Sequence, residues 1–167
     1  KDYKSTGHQF GAALLGDWSG ALWNEDTQQL TLINGINGNT SLFYYLNDEY
    51  LVFSTALKPI LDLDIVPKTL NISSAASFLQ TGDFDSDNTL FQGIKALKTG
   101  HSLRIDQNLQ ASLTSYWQPQ DSVDITKKLP SVYHKELLEL FRTVIEERID
   151  IREKIGMGLS GGLDSAA

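Results

Sequence analysis

The apolar pattern of this sequence changes period once, and the change limits the fold to a β-rich body followed by a helix. Up to Trp117 the apolar residues come in short runs, rich in aromatic and β-branched types and broken by polar turns. "DWSGALWN" alternates Trp18, Gly20 and Leu22 against Ser19, Ala21 and Trp23, which predicts a strand. "LTLIN", "SLFYYL" and "YLVFST" predict further strands, separated by the turns "EDTQQ", "GINGNT" and "NDE". The Asn-Gly pairs around "GINGNT" supply residues that accept positive φ, as a tight turn needs. The pattern is that of an antiparallel meander.

"HQFGAALL", "ALKPILD" and "NISSAASFLQ" predict short helices, and "HSLRI", "DQN" and "ASLTSYW" a last hairpin. "QPQDSVDITKKLP" is polar with a proline near each end and reads as a linker, which places a domain boundary between 119 and 120. Beyond it, residues 132–149 carry Leu138, Phe141, Ile145 and Ile149 at helical spacing, widened by Leu137 and Val144, with Ser131 as the expected N-cap. "KIGMGL" predicts a buried strand of parallel-sheet type. The fold class is therefore α+β: a β-rich domain over 1–119, then over 120–167 a linker and the helix, strand and glycine loop with which an α/β nucleotide-binding domain opens.

Composition sets limits on function. Hydrophobic residues make up 41% and charged residues 21% of the chain, enough for a core. The net charge of −7 argues against nucleic acid as a partner. No apolar run reaches membrane-span length, and "KDYKSTGHQF" has no signal-peptide core. There is no cysteine, which suits a cytoplasmic setting and excludes thiolate metal sites. His8, His101 and His134 are too far apart to form a ligand-spaced pair and read as structural or exposed. Asp83, Asp85 and Asp87 begin like a calcium loop, but Asn88 and Ile94 stand where its glycine and glutamate belong, so they read as a solvated turn. Trp18, Trp23 and Trp117 are expected in the β core. The lone methionine, Met157, implies that Lys1 is not a natural start and that the sequence is a piece of a longer protein.

The chemistry concentrates in "SGGLDS", Ser160 to Ser165. Two glycines after a strand let the backbone bend so that its N–H groups share one concavity. Such a nest, reinforced by a following helix N-terminus, favours phosphate oxygens. Ser160 and Ser165 add hydroxyl donors, and Asp164 suits an anion site when magnesium lies nearby. The loop lacks the Gly-Lys-Ser/Thr of a Walker A motif. Five fixed residues at about 5–7% each recur by chance on the order of once per million positions.

"SGGLDS" resembles the pyrophosphate loop of the ATP pyrophosphatase superfamily, whose members cleave ATP between the α- and β-phosphates. The upstream residues narrow the resemblance. "LLGDWSGALWNEDTQQLTL" is similar to the "GDFAFALWD…LLL" stretch of the asparagine synthetase family. "SLFYY" and "YLVFSTALKPIL" resemble its "PLYY" and "FASELKALL", and "NTLFQGIKALKTGHSL" its "TIFKGIKKLPPGHYL". The resemblance implies the later part of a class II, Ntn-type glutamine amidotransferase domain, followed by the start of the synthetase domain. In the family's order the N-terminal cysteine and glutamine-pocket residues lie upstream of Lys1. No catalytic residue is therefore assigned within 1–167, and this stretch alone is expected to be inactive.

What the resemblance implies is an ATP-dependent amide-forming ligase. The aspartate side-chain carboxylate is adenylated, pyrophosphate leaves, and ammonia from glutamine displaces AMP. Ser160, Gly161, Gly162, Asp164 and Ser165 match the pyrophosphate loop, with Asp164 also placed to orient Mg2+. ATP, aspartate and glutamine are the small-molecule partners, and a homodimer is compatible with the resemblance. Two departures matter. Where the family writes "RDRFGIKPLYY", this chain has "NGINGNTSLFYY", so Asn34-Gly35 replace the Arg-Asp pair and Thr40-Ser41 the Lys-Pro pair that anchor the hairpin. Gly158 stands where a leucine near the adenine is usual. The first departure keeps open an alternative, a β-lactam synthetase or lasso-peptide cyclase type with a non-functional glutaminase half; a non-catalytic homologue is the third reading.

Overall fold

A computed structural model of the chain describes residues 7–84, 87–119, 129–149 and 154–162. The chain divides into two compact units, Lys1–Gln120 and Asp121–Ala167. The architecture is α+β, with antiparallel sheets and few helices.

The first unit opens with a 3-10 helix over Gly7–Ala13. Its strands are β1 (Ser19–Asn24), β2 (Gln29–Asn34), β3 (Phe43–Leu46), β4 (Leu51–Ser54), β5 (Ile94–Ala96), β6 (His101–Ile105) and β7 (Ala111–Ser115). Two helices, α1 (Leu57–Leu61) and α2 (Ile72–Thr81), lie between β4 and β5. Each hairpin turn is organised by a side-chain oxygen. Asn24 Oδ1 accepts from the N–H groups of Asp26 and Thr27. Asn47 Oδ1 does the same for Glu49 and Tyr50, and Asp106 Oδ1 for Asn108 and Gln110. These side chains mimic a backbone turn and so start each reversal locally.

The strands do not form one meander. They make a four-stranded sheet in the order β1-β2-β6-β7 and a three-stranded sheet in the order β4-β3-β5. β2 and β3 do not pair, because β2 already has β1 on one edge and β6 on the other. The segment expected to be a hairpin is therefore a connection that carries the chain from one sheet to the other. β5, which its short run did not announce in the sequence, forms on the free edge of β3.

The core lies between the sheets. Leu32, Leu103 and Ile105 of the larger sheet meet Leu42, Tyr44 and Leu97. β3 alternates: Tyr44 faces this core, while Phe43 and Tyr45 face a second cluster of Ile60, Val66 and Ile94 built around α1. The smaller sheet is thus covered on both faces. The larger sheet is covered only at its centre. On the core-facing side β1 presents Ala21 and Trp23, both exposed, and β7 is exposed along its whole length. This corrects the tryptophan expectation. Trp23 is 59% exposed because it sits on an edge strand beyond the reach of the smaller sheet, and Trp117 is 38% exposed. Trp18 is half-buried.

α2 is well capped: Asn71 accepts from Ser74 N–H, and Gly82 closes the helix at φ 77°. Asp83 Oδ1 accepts from Phe84 N–H and Asp87 pairs with Lys95 at 3.3 Å; Asp85 lies outside the described residues.

In the second unit, α3 runs over Pro130–Arg148. Its N-cap is Leu129, with Pro130 in the first turn, so Ser131 lies inside the helix rather than capping it. Proline's fixed φ and missing N–H suit that first position better than a hydroxyl outside it. No residue of α3 is buried. The stretch 154–159 is not a strand among the described residues: Ile155, Met157 and Leu159 are 59%, 80% and 68% exposed. A parallel strand is stabilised by ladder partners, and none pairs with this stretch among the described residues.

The clamp that ends the first unit involves Tyr116. Its hydroxyl donates to the Asn34 carbonyl. Its N–H donates to Gly100 O at 2.9 Å, and Gly100 N–H in turn reaches Gly35 O at 3.1 Å. The ring leaves no room for a side chain at Gly11, where a Cβ would come within 2.5 Å of it. Burial pushes the Tyr116 phenol up to about 12.

Substituting Leu32, which is 0% exposed, by Ala is expected to cost about 2–5 kcal/mol in a denaturant titration. Tyr116→Phe removes one hydrogen bond and is expected to cost about 0.5–1.5 kcal/mol. The raised phenol holds its proton more tightly folded than unfolded. Its contribution is complete below its ordinary value of 10.0 and disappears as pH climbs through about 12. Tyr116→Phe should therefore flatten that part of the alkaline unfolding profile.

Candidate functional site

The loop singled out in the sequence lies in the second unit. Gly161 adopts φ 80°, a conformation that glycine reaches without strain. Gly162 N–H donates to Ser160 Oγ at 3.4 Å, so the turn brings a hydroxyl and an amide donor together. All three residues are exposed. Asp164 and Ser165 lie outside the described residues. The turn holds the Gly162 amide against the Ser160 hydroxyl oxygen, with no Cβ at Gly161 or Gly162 between them. A Cβ at Gly158 would meet nothing within 4 Å, so packing within the structure does not demand glycine there.

The first unit contains a second feature, visible in the sequence only as a departure from the resembled pattern. The β2–β3 connection is held by a neutral network. Asn34 is 3% exposed and its Nδ2 donates to Leu97 O at 2.7 Å. Thr40 Oγ1 donates to Trp18 O at 2.8 Å and lies 3.4 Å from Asn34 Oδ1. Gly35 N–H donates to the same Trp18 carbonyl at 3.0 Å. A Cβ on Gly35 would come within 2.6 Å of that oxygen, so only glycine permits the approach. Farther out, Asp17 accepts from Asn37 Nδ2 at 2.9 Å and from Asn39 Nδ2 at 2.8 Å. Trp18 Nε1 is buried and has no acceptor among the described residues. Asn34 and Thr40, which replace charged residues of the resembled pattern, thus perform an anchoring role through carboxamide and hydroxyl groups.

Beside this network is an open cleft of about 590 Å³, with Asn34, Thr40, Asp83, Lys98 and His101 among its lining residues. Leu42 and Leu97 give it an apolar floor. His101 Nδ1 lies 2.8 Å from Thr99 O. A carbonyl only accepts, so Nδ1 carries the proton and Nε2 is the ring's open position. His101 therefore has the structural contact expected of it, and it also lines a cleft that no sequence signal announced. The cleft is assembled from segments far apart in the chain, which is why no local motif could announce it. Tyr44, on the neighbouring strand β3, has a raised pKa, first through desolvation and then through the charge of Asp87.

Among the described residues no group of His, Cys, Asp or Glu is arranged to hold a metal ion, and no helix is long and apolar enough to cross a membrane.

Known proteins resemble this chain along its length. Amidase chry2 of Gibberella zeae is 30% identical over 169 aligned positions, covering 99% of this chain and 24% of its own length. Asparagine synthetase [glutamine-hydrolyzing] 2 of Bacillus subtilis is 27% identical over 177 positions, covering 99% of this chain and 23% of its own. Amidase chyE of Penicillium rubens is 25% identical over 173 positions, with 99% and 24% covered. The chain thus spans about a quarter of the length of the curated relatives it matches. Residues 1–117, well over half of the sequence and the whole two-sheet body, match the glutamine amidotransferase domain, and the chain belongs to that family.

Proposed function

We propose that this chain is part of an ATP-dependent amide-forming ligase of the asparagine synthetase type, with the amidotransferase domain over 1–119 and the ATP-binding synthetase domain beginning in 120–167. A carboxylate, in the orthodox case the β-carboxylate of aspartate, attacks the α-phosphate of ATP, and pyrophosphate departs. Ammonia released from glutamine then attacks the acyl-adenylate and AMP leaves. The observation that carries this reading is the sequence "SGGLDS" together with the turn at Ser160–Gly162: Gly161 at positive φ and the amide of Gly162 on the hydroxyl oxygen of Ser160. With pyrophosphate in the loop, the Ser160 hydroxyl and the Gly162 amide exchange their contact with each other for the phosphate oxygens, and donors so placed stabilise the charge that builds on the leaving group. Ser165 adds a hydroxyl, and Asp164 supplies the carboxylate that Mg2+ accompanying the nucleotide prefers. The 27% identity to a glutamine-hydrolysing asparagine synthetase supports the pairing of the two domains. A cytoplasmic location is part of the same reading.

The neutral network at Asn34 and Thr40 anchors the connection without charge, which supports a well-folded amidotransferase domain despite the Asn34-Gly35 departure; the alternative with a non-functional glutaminase half would share this anchor. A second reading rests on a different observation: two relatives are named amidases. Hydrolysis of an amide without ATP is the glutaminase half-reaction acting alone.

The full-length protein, supplied with ATP, Mg2+, aspartate and glutamine, is expected to release AMP and pyrophosphate. Ser160→Ala should lower that rate by about a hundredfold or more. Asp164→Ala should abolish AMP formation while glutamine hydrolysis and the fold persist. Ammonia release from the unsubstituted protein with no AMP or pyrophosphate formed, whether or not ATP and aspartate are present, would replace the ligase with an amide hydrolase.

A further inference from the structure

Two Asn-Gly pairs lead the chain from β2 to β3, Asn34-Gly35 at the end of β2 and Asn37-Gly38 in the connection. Asn-Gly is prone to attack by its own backbone, because glycine has no Cβ to keep its nitrogen from the preceding side-chain carbonyl carbon. The fold treats the two pairs differently. Both carboxamides are hydrogen-bonded, Asn34 to Leu97 O at 2.7 Å and Asn37 to Asp17 Oδ1 at 2.9 Å, but at the first pair the attacking Gly35 N–H is also committed, to Trp18 O at 3.0 Å. Asn34 is also 3% exposed, which excludes the water that the reaction consumes. At the second, both residues are exposed and Gly38 is at φ 71°. The Gly38 N–H has no acceptor among the described residues.

We propose that Asn37 is a site of spontaneous deamidation, and that its conversion breaks one of the two bonds by which the β2–β3 connection holds Asp17. The Gly38 nitrogen bonds to Asn37 Cγ, and the Cγ–Nδ2 bond breaks. Nδ2 leaves as ammonia, taking the proton that Gly38 gives up. Water then opens the cyclic imide at either carbonyl, leaving aspartate or isoaspartate. Nothing is oxidised or reduced.

The consequence follows from what Asn37 does. Its Nδ2 donates to Asp17 Oδ1 at 2.9 Å and to Gly16 O at 3.2 Å. After deamidation the donor is gone and a carboxylate faces a carboxylate, which at this separation is repulsive. Asn39 still binds Asp17, so the outer part of the connection loosens while Asn34, Gly35 and Thr40 hold its base. Gly38 also lines the open cleft and lies against Thr99, whose Cγ2 would be 3.6 Å from a Cβ at that position. The loosening therefore acts on the cleft rim.

The test is incubation of the full chain at mildly alkaline pH, with peptide mapping by mass spectrometry and isoaspartate labelling. Isoaspartate is expected at position 37, with Asn34 lagging by at least about tenfold because the Gly35 N–H must first leave Trp18 O and the site must first open to water. Equal conversion at both positions, or none at 37, would overturn the assignment. The structural consequence has its own readout. Asn37→Asp should melt below Asn37→Ser, and adding Asp17→Asn should remove the difference. Equal melting of the two single variants would overturn the loosening at Asp17.

Discussion

A buried carboxamide must find hydrogen-bond partners inside the protein, because leaving one unpaired costs more than the bond gains. Asn34 finds them on segments far apart in the chain. Its amide reaches Leu97 next to β5, its carbonyl oxygen lies near Thr40, and its main-chain oxygen takes the Tyr116 hydroxyl. These contacts tie the last residue of β2 to the end of the smaller sheet and to the chain's exit from the larger one. The close packing depends on glycine at Gly11, Gly35 and Gly100, each of which would put a Cβ within 2.6 Å of a neighbouring atom. The junction works because side chains are missing there, and the hydrogen bonds fix what the glycines allow.

From that junction the rest of the first unit follows. The crossing at Gly35–Thr40 sends the chain away from β2, so β3 starts a second sheet instead of extending the first. The second sheet then has a face for each of its neighbours: Tyr44 toward the larger sheet, Phe43 and Tyr45 toward α1. Apolar burial supplies the stability, while the polar junction supplies the direction of the chain. Among the described residues β1 and β7 are the outer strands of the larger sheet, and Trp23 on β1 lies beyond the cover of the smaller sheet.

The two units carry different kinds of chemical opportunity. In the first, cleft and network are made of groups that meet only on folding, with Lys98, His101 and Asp83 bringing both signs of charge over an apolar floor. In the second, a few consecutive residues make the turn, and the donor geometry of Ser160 and Gly162 is local. An amide-forming enzyme needs both a source of nitrogen and an activated carboxylate. In the reading proposed above, the amidotransferase domain answers the first need and the loop at Ser160 the second.

Local chemistry was legible from residue order. The Asx side chains at Asn24, Asn47 and Asp106 start their turns with atoms only a few residues away, so the hairpins could be read directly. The same holds for the cap of α2 and for the loop at Ser160–Gly162, where glycine's φ is a property of the residue itself. What depended on distant partners was not legible. The number of sheets, the strand β5, the exposure of Trp23 and of the 154–159 stretch, and the buried role of Asn34 all turn on which surfaces meet. Alternation shows that a strand has two faces, but whether either is covered is settled by other parts of the chain. An Asn-Gly pair announces a bend in both of its occurrences in this chain. Only packing makes one of them a buried anchor and the other an open, reactive turn.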